Sequence, residues 1–323
     1  MKTLDRLFCV AMAAFALMCN AFAAEPSSAK PLRIVTVLPP GPDVYLRALG
    51  ARLSELLGRP VIIDNKVGAS GVLALQAVAS APPDGSVLLA HSAAFLIFKA
   101  VQPSQPIDPV ADFVAIAQVF GGGASVVVVS ADSPVRSMQD LIARTKEAPG
   151  KLKYGSAGIG FPSHLATESL LQVTGTQALH IPFKGSDYLQ AQLRGDVDFS
   201  IAVITSAMAL VKSGKLRALA ATSTERLRDL PDVPTLRELL KSDLLVQEFW
   251  VGLAAPAKTP PEVIRTLHAA TVKALGDSAV RKSIENAGNT PGTGESPAEF
   301  GAFIRSENEK WRQIVKFTGI KAE

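Results

Sequence analysis

An α/β fold of two units is what this 323-residue sequence predicts, on three observations. Short apolar runs alternate with helical patterns along most of the chain, as they do where strands are covered by helices. The alternation breaks at Gly121-Gly122-Gly123 and then restarts. An N-terminal export signal accounts for the first 23 residues, and the 300 that remain suit two domains of about 150 residues each.

The signal comes first. Lys2 and Arg6 form a basic start, with Asp5 between them, and Leu7 to Met18 is an apolar run of twelve. Ala21-Phe22-Ala23 supplies the small-x-small pattern of a cleavage site. The run is shorter than the ~20 residues that span a bilayer. Residues 1–23 are therefore expected to be a signal peptide cleaved near Ala23. Cys19 suggests a lipid attachment, but Met18 before it is not small. Both cysteines, Cys9 and Cys19, precede the cut, so the mature chain is expected to hold no disulfide, thiolate or Cys-bound metal. The signal carries two basic residues and one acidic, so the net charge of +4 falls to +3 on cleavage. That mild balance, without a Lys/Arg run, gives no nucleic-acid surface. After Ala23 no apolar stretch is long enough to span a membrane.

The first unit opens with a strand at Leu32–Leu38. Tyr45, Leu46, Leu49, Leu53, Leu56 and Leu57 then recur at helical spacing, and Gly58 stops that helix. Val61-Ile62-Ile63 is a second strand, Val72 to Ala79 an apolar helix, and Val87 to Ala90 a third strand. Such βαβαβ order implies a parallel sheet covered on both faces. In the second unit, Ser125 to Val129 is β-branched, and Ser137 with Asp140 marks a helix start. Further strands are expected at 152–156, 178–181, 198–202 and 216–222, with helices between. The C-terminal part reads as helical. Thr259-Pro260-Pro261-Glu262 and Ser296-Pro297-Ala298-Glu299 both look like capped starts, each with Ser or Thr as the cap. Phe300, Phe303, Ile304, Trp311 and Ile314 mark the buried side of the last helix. The chain is expected to cross between the units near 120–128 and 246–254. Residues 31–125 plus 250–323 then form domain 1, and 126–249 form domain 2.

The most informative stretch is Tyr154 to Leu165, Tyr-Gly-Ser-Ala-Gly-Ile-Gly-Phe-Pro-Ser-His-Leu. It leaves a strand and enters a helix near Ser163, which is placed to cap it. Glycines let backbone approach a ligand closely, and a helix N-terminus attracts an anion. The turn is thus expected to hold something small and negative. Gly158 to Ser163 nearly fits a dinucleotide fingerprint, but no acid lies between Thr174 and Ser186 to bind a ribose. The four histidines, His91, His164, His180 and His268, lack metal-ligand spacing, and no nucleophile elbow or P-loop occurs. Neither a catalytic residue, a metal nor a cofactor is therefore expected. Three further loops, Pro39–Asp43, His91–Ala93 and Pro182–Ser186, also follow the carboxyl ends of expected strands, where open α/β sheets place ligands.

Landmarks along the mature chain resemble the Bug family, the extracytoplasmic solute receptors of tripartite tricarboxylate transporters. They include Leu38-Pro39-Pro40-Gly41, Asp64 to Gly71, Pro83-Asp84-Gly85, Tyr154 to Gly158, Pro182 to Ser186, Gly195 to Asp198, Gly214 to Ala220, Pro231 to Thr235 and Trp250 to Pro256. The resemblance implies a type II periplasmic-binding-protein-like fold, two α/β domains closing a cleft on a small organic carboxylate. It implies a periplasmic receptor, monomeric, that delivers its cargo to membrane transporter subunits and performs no catalysis. Carried over by position, the ligand contacts are Pro40, Gly41, Asp43 and Ser92 in the first domain. In the second they are Ser156, Ala157, Gly158, Ser163 and His164, with Lys184 and Gly185 at the rim. A ligand-sensing receptor and an exported enzyme are the alternatives.

Two departures limit the transfer. The first loop reads Pro39-Pro40-Gly41-Pro42-Asp43, shorter than the family's usual Pro-Pro-Gly-Gly form, and Pro42 removes a donor. Ala202 stands where many members carry an Asp that could receive a ligand amino group, which argues against an amino-acid ligand.

Overall fold

The computed structural model describes residues 30–38, 40, 41, 43–66 and 71–320. The expected signal peptide and both cysteines lie outside these residues, as do Pro39 and Pro42. The chain runs β1 (Leu32–Thr36), α1 (Val44–Leu57), β2 (Val61–Asn65), α2 (Val72–Ala79), β3 (Val87–Ser92), α3 (Ala93–Val101) and β4 (Phe113–Ser130). It continues with α4 (Met138–Glu147), β5 (Lys153–Ser156), α5 (Pro162–Thr174), β6 (Leu179–Pro182) and α6 (Asp187–Arg194). Then come β7 (Phe199–Val203), α7 (Ile204–Lys212), β8 (Leu216–Ala221) and α8 (Leu236–Leu240). β9 (Glu248–Pro256), α9 (Pro261–Leu275), α10 (Ser278–Asn286), β10 (Thr290–Pro291) and α11 (Pro297–Thr318) complete it.

The strands join in the order β2-β1-β3-β9-β4-β7-β5-β6, with β8 and β10 also paired to β4. β1 pairs in parallel with β2 and β3, and β5 with β6 and β7. The purely parallel sheet expected from the βαβ pattern is corrected by β4 and β9, which run antiparallel to their neighbours. These two strands arrive by long-range return of the chain, which local alternation does not report.

β4 is 18 residues long and serves both units. Its first part pairs with β9 and β10, its last part with β7 and β8. The glycine triplet at 121–123 is therefore not a gap between units but an irregular stretch inside one strand, where the register with β9 shifts. A Cβ on Gly123 would lie 3.0 Å from Phe249 Cβ and 3.3 Å from the Phe249 carbonyl oxygen, a close approach of β9 to β4.

Alternation sets the core. Leu32 and Ile34 of β1 pack with Leu46, Leu49 and Leu53 of α1 on one face, while Val35 joins Ala74 and Val78 of α2 on the other. In the second unit Val127 and Val129 pack with Tyr154 and Phe199, and Val126 and Val128 with Tyr188 and Ala202. Both faces are buried, which is why these strands read as continuous apolar runs. Ala202 thus lies in an apolar cluster; an acid there would be buried among Val126, Val128 and Tyr188.

A further cluster joins the units. Ala93, Leu96 and Ile97 of α3 meet Leu165 of α5 against Trp250, Trp311 and Ile314. Both tryptophans are buried, and truncating such a residue costs about 3–5 kcal/mol.

The helix starts divide between expectation and correction. Ser137 with Asp140, and Ser296 with Glu299, form complete capping boxes on α4 and α11. Thr259 is not a cap. Pro260 holds that position on α9, and the Thr259 hydroxyl is buried without a partner. Ser163 is not a cap either, because Phe161 takes the position and Pro162 begins α5. In both cases proline fixes the first helical residue, so the start moves relative to the hydroxyl.

Candidate functional site

The glycine turn leaves β5 and enters α5, as its sequence requires. Gly155 is set by crowding, because a Cβ there would lie 2.8 Å from Tyr188 Cβ. Gly158 is set by backbone, at φ +129°. The donors of this turn are not free. Ala157 N–H donates to Ser163 Oγ at 3.0 Å, Gly158 N–H to Ser156 Oγ at 3.1 Å, and Gly160 N–H to His164 Nδ1 at 3.1 Å. Two serines and a histidine already occupy these three N–H groups.

Behind the turn stands a ladder of rings. His164 stacks on His180 with centroids 4.0 Å apart, and His180 stacks on Tyr154 at 4.8 Å. His180 Nε2 is hydrogen-bonded to Ser156 Oγ at 2.5 Å, and Tyr154 donates to Glu168 Oε1 at 2.5 Å. Burial, joined at His164 by the neighbouring His180, brings both imidazoles down to about 4. Near neutral pH both rings are uncharged, and His164 Nδ1 accepts from Gly160, so the turn is held without ionic charge.

The first-unit loop is built differently. Asp43 is buried, and it accepts from Gly41 N–H at 3.0 Å, from Asn65 Nδ2 at 2.8 Å and from Arg47 Nε at 3.2 Å. Burial pulls its carboxyl upward, but the donors from Asn65, Arg47 and Gly41 outweigh that and hold it below the usual range. Its oxygens are thus engaged within the loop, and Pro40 and Gly41 form the exposed tip.

Ser92 ends β3 in extended conformation directly before α3, and its hydroxyl makes no capping bond. Across from it, Ala93 of α3 and Pro162 of α5 line one small pocket with Ser125, Gln247, Glu248, Phe249 and Trp311. The first residues of two helices, one from each unit, therefore border the same pocket. The free space there is about 10 Å³, room for about one water. Gly160 approaches the same side, its missing Cβ 3.9 Å from Val101 at the end of α3.

Lys184 and Gly185 are exposed and flank the turn from the next strand, where Phe183 N–H donates to Ser156 O at 2.9 Å. Ser92 and Ser163 themselves do not line the small pocket; each is the chain neighbour of a lining residue, Ala93 and Pro162. The structure turns Asp43 inward and leaves Lys184 at the margin. Ser125, Gln247, Glu248 and Phe249, which also line the pocket, were missed by sequence reasoning; the only signal was the place of the last three just before the Trp250 landmark and of Ser125 at the head of a β-branched run. Gln247 Oε1 and Trp311 Nε1 are buried there without partners. A larger cavity of about 370 Å³ lies elsewhere, under the first half of α11. The first residues of two helices from different units, rather than cavity size, mark the candidate site. Among the described residues no group of three or more His, Cys, Asp or Glu is gathered for a metal, and no helix is long and apolar enough to cross a membrane.

The chain is similar to known proteins along most of its length. Protein BugT of Bordetella pertussis is 32% identical over 307 residues, covering 92% of each chain. The periplasmic binding protein BugD superposes with a TM-score of 0.77 at 28% identity, covering 91% of this chain and 99% of its own. A protein of R. palustris solved with adipate gives 0.79 at 27% identity, with the same coverage. MatC of Rhodopseudomonas palustris, solved with malate, gives 0.75 at 28%, covering 88% and 99%. The fold is accordingly the two-domain α/β fold of periplasmic binding proteins. The sequence pattern of the tripartite tricarboxylate transporter family receptor matches residues 45–320, and the chain belongs to that family of solute-binding receptors.

Proposed function

We propose that this chain is a periplasmic receptor that captures a small organic carboxylate between its units and delivers it to a tripartite tricarboxylate-type membrane transporter, without catalysing a reaction. One observation carries this reading: the N-termini of α3 and α5 converge on one pocket from opposite units. The adipate and malate bound to its relatives support a carboxylate as the cargo.

The mechanism follows from the donors. With the units apart, a carboxylate meets the Ser92 hydroxyl and the start of α3 on one side. On the other it meets the Ser156 and Ser163 hydroxyls, which now hold the glycine turn together. A charged acceptor makes stronger hydrogen bonds than the neutral ones it replaces. Closure then buries the ligand, with flexing carried by β4 near Gly121–Gly123 and by β9 near Glu248–Phe249. The parts that move are residues 31–125 with 250–323, and 126–249. The leader is removed near Ala23, and the receptor acts as a monomer.

The test is calorimetry of the mature chain against a panel of aliphatic and aromatic mono-, di- and tricarboxylates. One-to-one binding of a panel member, weakened by Ser156→Ala, is the expected result. A panel in which no acid binds, or in which the bound acid is indifferent to Ser156→Ala, Ser163→Ala and Ser92→Ala together, would refute the reading.

A further inference from the structure

The cavity of about 370 Å³ lies outside the cleft, between the start of β4, the end of β9 and the first half of α11. Its walls are mainly apolar, with Phe113, Ala115, Ala254 and Ile304 among them. Two lining side chains carry titratable groups, His91 and Arg305.

Arg305 sits at the mouth. It is exposed, and among the described residues it makes no ion pair, although eleven such pairs are present elsewhere. Its guanidinium folds back over Gly301. A Cβ on that glycine would lie 3.4 Å from Arg305 Nη1 and 3.8 Å from Ala115 Cβ, which lines the cavity. The glycine thus leaves a gap that brings an unneutralised cation to the edge of an apolar hollow. His91 closes the inner wall. It is fully buried and stacked on Trp250 at 5.5 Å, and its Nε2 donates to Pro109 O at 2.7 Å. Its Nδ1 has no partner. Burial, partly offset by the Pro109 carbonyl, brings the imidazole down to about 4, so the inner wall is neutral near pH 7.

A cavity of this size falls within the range of small-molecule sites. One cation at the rim above apolar walls selects one carboxylate with an apolar body. A second carboxylate would be desolvated against Phe113 and Ile304 without a partner. We propose that this cavity is a second ligand site, taking a small monocarboxylate whose charge pairs with Arg305 and whose apolar body fills the hollow beneath α11. The site stands apart from the interdomain cleft and does not depend on what the cleft holds.

Benzoate is a suitable probe, followed through alanine methyl resonances of the full mature chain. Saturable shifts are expected at Ala115, Ala254 and Ala298. Arg305→Gln, an exposed substitution, should weaken the apparent Kd by about tenfold, as loss of a charge-assisted contact does. Ser156→Ala should leave these shifts unchanged. The proposal is overturned if these methyls show no saturable shift, if Arg305→Gln titrates like the native chain, or if the shifts vanish with Ser156→Ala, which would place benzoate in the cleft.

Discussion

The loop after β1 and the turn after β5 occupy corresponding places, each following a parallel strand and leading into a helix, yet they are held together by opposite means. The first is clasped by charge: Asp43, wholly buried, gathers Gly41, Arg47 and Asn65. The second is clasped by neutral groups: Ser156, Ser163 and His164 take up the N–H groups of the turn, backed by the His180 and Tyr154 rings. A charged clasp fixes the shape of its loop and leaves little capacity for an anion. A neutral clasp of hydroxyls can be exchanged for a carboxylate, because each hydroxyl that accepts within the turn can instead donate to a ligand. On the proposed function, rigidity would belong to the first unit and ligand exchange to the second.

The sharpest way to break this contrast is Asp43→Ala. It leaves the Gly41 N–H and the Asn65 amide without their acceptor, and stability should fall by about 2–4 kcal/mol, read by urea unfolding. An unchanged midpoint would show that the clasp carries nothing.

Acid sharpens the contrast further. The folded-state values of His164 and His180 lie near 4, below the 6.5 of the free side chain, so the unfolded chain takes up protons first as pH falls. Stability should decline from about pH 6.5 toward 4, by about 1–3 kcal/mol for the pair. His91 contributes in the same window and direction. The double variant His164→Gln, His180→Gln should flatten the slope of melting temperature in that window without abolishing it. Asp43 acts in the same direction in a lower window: its carboxyl is lowered, so its contribution persists through the histidine window and is lost only below the ordinary carboxylate range.

Ligand binding provides the smaller effects. Ser156→Ala and Ser163→Ala should each weaken carboxylate binding by about 1–3 kcal/mol in calorimetry. Ser92→Ala, at a helix start that retains its own N–H groups, should cost about 1 kcal/mol. If Ser92→Ala proved more costly than Ser156→Ala, ligand exchange would belong to the first unit instead.

Much of this architecture was legible in the sequence, because most of its elements are buried on both faces or along one stripe. Leu32 to Thr36, the α1 stripe and Val126 to Val129 read correctly for that reason. The capping boxes at Ser137 and Ser296 read correctly because their chemistry is local. Thr259 and Ser163 misled for the converse reason: each looks like a cap, but a following proline sets where the helix begins. The antiparallel β4 and β9 were hidden because their partners lie far away in sequence. At the site, the glycine turn was legible from composition. Its closed donors were not, since the bonds from Gly158 to Ser156 and from Gly160 to His164 depend on how the turn folds back. Asp43 was read as facing a ligand because nothing local reveals that Asn65, 22 residues on, reaches it.

The shared strand β4 has a consequence for how the protein is born. β3 finds its neighbour β9 only when residues 248–256 have been made, and the hollow beside β4 is roofed only by α11 at 297–318. The last part of β4 with β5 to β8 needs nothing later than residue 221 to complete its strand pairing, while the first part of β4 also waits for β9 and β10. On a ribosome or emerging from a translocation pore, the middle of the chain can therefore assemble while the N-terminal third waits with an open sheet edge. A truncation before β9 should strand that third as an aggregation-prone fragment, and the interval before β9 emerges is when the chain most needs protection.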